Sequence, residues 1–188
     1  KTVDRTTKVM LKTPSCISRM ERTGVVSTET AQALGVVGMA ARSSGVDIDT
    51  RFDFNDKWYT SLDVVKPFKA TGDVHSRFKL RYKEIKQSMQ IVKKLLDKLK
   101  EFRNEQILTN PNKTLAPNAF AISMTEGWRG EIVHIALTGA NGELLRYKMK
   151  DPSFNNWYML AMAVRNNGVS DFPLCNKSFN LSYCGNDL

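Results

Sequence analysis

The apolar positions fall into one clear stripe after Gly72, where Phe78, Ile85, Met89, Val92, Leu96 and Leu99 recur at spacings of three, four and seven. That is the period of one helix face. Asp73 places a capping carboxylate just before it, so one long helix is predicted to reach about Phe102. Lys79, Lys83, Lys86, Lys93 and Lys100 lie mostly on its other faces, and a long helix with a single apolar stripe packs in a bundle. Upstream, Ser27 or Thr28 caps a helix that begins near Glu29 and ends at Gly35. A second short helix covers Val37–Arg42 and is closed by Gly45. Residues 46–71 carry aromatic and acidic side chains with neither helical nor strand period, which reads as a long structured loop. Residues 1–16, polar and basic around Val9-Met10-Leu11, suit either a helix or an ill-ordered arm.

Asn110-Pro-Asn-Lys113 and Pro117 mark a further loop. The runs Glu131–Leu137 and Glu143–Met149 then flank Thr138-Gly-Ala-Asn-Gly142, whose Asn-Gly pair predicts a β-hairpin. Asp151-Pro152-Ser153 starts a last helix with Phe154, Trp157, Leu160, Ala161 and Val164 facing inward, ended by Gly168. The expected class is α+β, helix-dominated, with a long central helix in a bundle plus a β-hairpin. Residues 1–21 form an N-terminal arm and 22–188 one domain.

Composition narrows the picture. A chain of 188 residues with 41% hydrophobic and 25% charged content can bury a core of its own. No apolar run reaches the roughly 18 residues of a membrane span, and no signal-peptide pattern opens the chain. Three scattered cysteines fit a reducing compartment, so the expected location is cytoplasmic. The net charge of +9 comes without a nucleic-acid motif or aromatics interleaved with arginine. It suits a solvated basic surface, or one that docks on acidic subunits or anionic headgroups. The start at Lys1, without an initiator Met, reads as the interior of a longer protein.

Candidate chemistry is sparse. Cys175 and Cys184 are separated by eight residues, not by the two that let one turn aim both sulfurs at one ion. They and Cys16 are read as structural. His75, near a helix start, and His134, in a strand, are ordinary packing or surface residues before they are proton relays. Arg42, Asp47 and Asp49 suit local loop bonding. No phosphate loop, Ser-His-Asp set or catalytic carboxylate pair is recognisable.

Four segments carry a resemblance. They are Leu34-Gly-Val-Val-Gly38 through Ala41-Arg42 and Ser44-Gly-Val-Asp47, with Asp49 and Arg51; Gly72-Asp73-Val-His75-Ser-Arg77 with Arg81, Glu84, Gln87 and Ser88; Glu126-Gly-Trp-Arg129-Gly130-Glu131 with Asp151-Pro152-Ser153-Phe154; and the tail Asp171–Leu188. In this order they resemble the C-terminal part of nickel–iron hydrogenase large subunits of the energy-converting, formate hydrogenlyase type. They are similar too to the 49 kDa-type subunit of respiratory complex I. The resemblance implies that Arg129 projects over the family's metal or quinone cavity; its other reading is an internal ion pair with Glu126 or Glu131. Gly127-Trp128 stands where the family has Ala-Pro before this arginine. Anchoring the tail on Asp187 lays the family's two metal-ligating cysteines on Ser182 and Gly185, which supply no thiolate. The implied cofactors are therefore a partner's iron–sulfur cluster and a quinone, with nickel–iron not held by this chain. Implied partners are an iron–sulfur small subunit and membrane subunits that tie the chain to the inner membrane. Arg42, Asp47 and Asp49 would then line the small-subunit junction or a proton path. An active energy-converting hydrogenase and a non-catalytic scaffold are the alternatives, and this chain alone is expected to be inactive.

Overall fold

A computed structural model describes residues 2–54, 59, 61–62, 64–66, 69–102 and 114–186. Two short helices open the chain, α1 (Thr2–Met10) and α2 (Pro14–Met20), so the N-terminal arm takes its helical option. Next come α3 (Thr28–Ala33), α4 (Gly38–Ser43) and the single turn α5 (Thr50–Asp53), the last inside the segment expected to be all loop. Ser27, not Thr28, caps α3, its hydroxyl accepting from the Thr30 N–H. The long helix is α6 (Val74–Leu99), extended by a 3₁₀ turn at Lys100–Phe102. Its cap is the expected one: the Asp73 carboxylate accepts from the Ser76 N–H at 2.7 Å. The loop expected at Asn110–Lys113 lies outside the described residues.

Three antiparallel strands follow, in order β1 (Phe120–Glu126), β2 (Glu131–Thr138) and β3 (Leu144–Lys150). The predicted hairpin is β2–β3, whose loop closes through a 2.9 Å bond from the Gly139 N–H to the Glu143 carbonyl. Strand β1 is not among the expected elements, although Phe120, Ile122 and Met124 alternate with Ala121, Ser123 and Thr125 in the two-residue period of a strand. Then come α7 (Pro152–Ala163) and α8 (Phe172–Phe179), the latter folding part of the tail. The α+β, helix-dominated class is as expected.

The core gathers Val26, Ala31, Val36, Ala40, Ala41, Val74, Met159, Leu160, Ala163, Cys175 and Phe179 from α3, α4, α6, α7, α8 and the segments before α3 and α4. Two predicted faces are corrected. On α7 the buried side is Ser153, Asn156, Met159, Leu160 and Ala163, while Phe154 is 53% exposed and Ala161 is also outward. A polar Asn156 at its centre rotates the helix away from the purely apolar reading. On α6 only Val74, Ser76, Arg77 and Leu80 are buried; Met89, Val92, Leu96 and Leu99 are 63%, 54%, 58% and 57% exposed. The first turns of α6 pack against α2, α4 and α8, and the distal stripe stands open.

Candidate functional site

Arg129 sits in the tight β1–β2 turn, which closes through reciprocal bonds between Gly127 and Gly130 at 2.8 and 3.3 Å. That turn lies directly on the start of α4. A Cβ on Gly38 would come within 2.2 Å of the Gly130 Cα, and both glycines have positive φ, +66° and +138°. Only residues without side chains allow backbone to approach backbone this closely. Asn156 locks the contact from below. Its Oδ1 accepts from the Val37 N–H at 3.0 Å, and its Nδ2 donates to the carbonyls of Val37 (3.3 Å) and Arg129 (3.1 Å). Asn156 is 1% exposed, and both of its amide donors and its oxygen are engaged. The sequence offered only its position in a helix as a signal, and the apolar reading of α7 passed over it.

Neither ion pair expected for Arg129 forms. Glu126 belongs to Arg42 and Glu131 to Lys150, each at 2.9 Å. Instead the Arg129 Nε donates to the Asn180 carbonyl, at the end of α8. Two more arginines reach the same helix end. Arg81 Nη2 donates to the carbonyls of Ser178 and Phe179 at 3.1 and 3.3 Å, its guanidinium lying 5.0 Å from the Trp128 ring centre. Arg77 Nε donates to the Ser178 hydroxyl at 2.9 Å, and its plane covers Phe179 at 4.2 Å. A helix C-terminus presents unpaired carbonyls and the negative end of its dipole, which cations satisfy. Burial pushes Arg77 down to about 10, and burial together with its neighbour Arg129 lowers Arg81, partly offset by Glu84.

The tail runs on from Asn180 along α7. The Ser182 N–H donates to the Ser153 hydroxyl at 3.0 Å, and the Trp157 indole donates to the Ser182 carbonyl at 3.2 Å. The Ser182 hydroxyl accepts from the Gly185 N–H at 3.1 Å. Gly185 lies against Asp151, where a Cβ would stand 2.5 Å from the carboxylate carbon. That carboxylate is fixed as the cap of α7, accepting from the Ser153 N–H at 2.7 Å. Arg129, Ser182 and Gly185 therefore share one region, joined through Asn180 and α7; Asp187 lies outside the described residues.

Of the three cysteines, Cys175 is fully buried in the core and burial raises its thiol. Cys16 packs against the same core, whereas Cys184 is exposed, its sulfur 3.2 Å from the Ser182 hydroxyl. The structural reading thus fails for Cys184 as a packing residue. His75 lies 3.4 Å from Glu21, and His134 bonds the Tyr147 hydroxyl across the β2–β3 pair.

A second polar cluster was only half anticipated. Arg42 does bond locally, 3.2 Å from Asp49, but it also holds Glu84 of α6 at 2.6 Å and Glu126 of β1 at 2.9 Å. Arg51 closes the group on Asp49 at 2.6 Å. Burial alone would lower Arg42, yet Glu84, Glu126 and Asp49 raise it above its ordinary value. Burial raises Glu126; Asp49 is lowered because Arg51 and Arg42 outweigh its own burial. Asp47 stands apart, 71% exposed and paired with Lys66 at 3.0 Å.

Comparison with known proteins adds a family. The profile of the respiratory-chain NADH dehydrogenase 49 kDa subunit matches residues 1–187. Formate hydrogenlyase subunit 5 of Escherichia coli (strain K12) is 31% identical over 179 residues, covering 95% of this chain and 31% of the relative. Membrane-bound hydrogenase subunit alpha of Pyrococcus furiosus is 32% identical over 178 residues, covering 87% and 41%. An NADH-quinone oxidoreductase subunit of Syntrophobacter fumaroxidans is 28% identical over 157 residues, covering 82% and 41%. The chain thus matches between about a third and two fifths of the length of these curated relatives.

Proposed function

Because the chain belongs to the family of the respiratory-chain NADH dehydrogenase 49 kDa subunit, we propose that it is the C-terminal part of a large subunit in a hydrogenase-like or NADH:quinone-oxidoreductase-like electron-transfer complex. Relatives named as membrane-bound hydrogenase and NADH-quinone oxidoreductase subunits support this reading. Among the described residues no helix is long and apolar enough to cross a membrane. Attachment to the cytoplasmic face of the inner membrane then runs through partner subunits, one of them an iron–sulfur small subunit.

In this reading the chain does not ligate nickel. The observation that carries it is the filling of the two tail positions. Ser182 offers a hydroxyl already bonded to a backbone N–H, and Gly185 has Asp151 where a side chain would start. A nickel–iron centre needs thiolates at these positions, so the residues present do not fit one. The role of Arg129 is to present a fixed cation beside the tail. Its Nε is committed to Asn180, and its terminal nitrogens have no bonded partner among the described residues. A guanidinium so held can orient an acceptor oxygen by charge-assisted hydrogen bonds, which suits a quinone or related acceptor reduced with electrons from the partner's cluster.

The test is metal analysis of the full-length protein purified with its neighbouring subunits. Iron without nickel is expected, the iron belonging to the partner. Stoichiometric nickel with hydrogen evolution would overturn the reading in favour of an active hydrogenase. Salt-sensitive assembly without any redox change would point to a scaffold.

A further inference from the structure

The register of the sheet sorts its side chains into rows, because residues paired across antiparallel strands share a face. The row nearest the β2–β3 turn is Phe120–Leu137–Arg146, and the next on the same face is Ile122–Ile135–Lys148. Each row is apolar on β1, apolar on β2 and cationic on β3. The face is therefore an apolar band two strands wide with a basic border along one edge. It stands open: Phe120, Ile122, Leu137, Arg146 and Lys148 are exposed, and Ile135 is half-buried. The third row, Met124–Val133–Lys150, is half-buried and its cation is paired with Glu131 at 2.9 Å. Glu126, at the same end of the face, is held by Arg42. Among the described residues Arg146 and Lys148 have no bonded partner.

A contiguous band of exposed apolar side chains marks a contact surface. Its unpaired basic border selects the charge of what covers it. A second copy of this face brings the same cations and no free carboxylate, so it is not the complement. Size narrows the occupant further. Two inter-strand gaps of about 4.8 Å make the face about 10 Å wide, the width of one α-helix with its side chains. We propose that this face docks a single amphipathic helix of a partner protein. Its apolar stripe lies on Phe120, Ile122, Ile135 and Leu137, and aspartate or glutamate along one flank meets Arg146 and Lys148. A lipid surface fits less well, because the exposed residues at the projecting β2–β3 turn are Ala140, Asn141 and Glu143, not the apolar ones. Phe120 stands six residues along β1 from Glu126, about 20 Å from the Arg129 end of the sheet. The contact is thus additional to the electron-transfer reading.

A fluorescein-labelled helical peptide of about five turns, with leucine along one stripe and glutamate along one flank, is titrated with the full chain while its anisotropy is followed. Saturable one-to-one binding is expected, weakening as salt rises. The same peptide with lysine for glutamate should bind at least about tenfold more weakly, the worth of two exposed ion pairs. Arg146→Glu with Lys148→Glu should reverse that preference. Phe120→Ser with Ile122→Ser should weaken the glutamate peptide at least about tenfold, through lost apolar contact. Met89→Glu with Leu96→Glu, on the open stripe of α6, should leave its affinity unchanged. If the serine variant unfolds, the charge reversal and the α6 variant carry the decision. No binding of the glutamate peptide, equal affinity for the two peptides, an unreversed preference, or loss of binding in the α6 variant would overturn the assignment. So would binding to phosphatidylglycerol vesicles with none to either peptide.

Discussion

Arg42 is 1% exposed and gathers carboxylates from the loop after α4, from α6 and from β1. Buried pairs of this kind add little net stability over an apolar core, but removing one partner strands the others. Arg42→Met leaves Asp49, Glu84 and Glu126 facing one another, and should cost about 3–5 kcal/mol in urea unfolding at pH 7. The loss should shrink in acid as those carboxylates take up protons. Asp49 and Glu126 respond to pH with opposite signs. The folded state holds Asp49 below its ordinary range, so its stabilising share is complete above that range and is lost as pH falls through the folded value. Glu126 is raised, so the folded state takes up its proton first and acidification through that value adds stability. Asp49→Asn should therefore flatten the acid loss in a pH series of unfolding midpoints, and Glu126→Gln should steepen it; the same slope in both variants would refute the assignment. The sequence disclosed the Arg42–Asp49 contact because turn chemistry is local. Glu84 and Glu126 stand 42 and 84 residues away, and only the packing of α4 on α6 and β1 brings them in. Arg129 shows the converse: adjacent carboxylates suggested ion pairs, but Glu126 and Glu131 were already claimed from elsewhere.

Elements were legible where one rule decided them. The Asp73 cap fixed the start of α6, and the Asn-Gly pair marked the β2–β3 hairpin. Elsewhere tertiary demands displaced the apolar pattern. In α7 the inward face is organised around an amide, because the backbone groups of Val37 and Arg129 need partners once they are buried. Asn156→Leu keeps the side chain's approximate size and leaves those groups unpaired, at about 1–3 kcal/mol for each one stranded. Thermal unfolding should show that loss. Asn155→Leu, one position along, removes a single bond to the Gly35 carbonyl and should cost much less. Strand β1 had its alternation in plain view, but the short run lies between a loop and the Gly127–Gly130 turn, where no hairpin signal flagged it.

At the scale of the molecule, the helices close one core while the distal half of α6 and much of the sheet remain exposed. Met89, Val92, Leu96 and Leu99 make a continuous apolar stripe, and surfaces of that kind seek cover. Sedimentation velocity should show concentration-dependent self-association of this chain. Met89→Glu with Leu96→Glu should abolish it without lowering Tm, since both side chains are more than half exposed; unchanged association would place the contact elsewhere. Helical body and sheet meet where Gly38 touches Gly130. A side chain gained at either position is rejected by the backbone at the other, so a compensating change cannot arise one substitution at a time. In inheritance the two glycines should therefore behave as a single character, kept or lost together. A lineage that loses one must re-lay the whole β1–β2 turn, and with it the carbonyl by which Asn156 holds Arg129 in place.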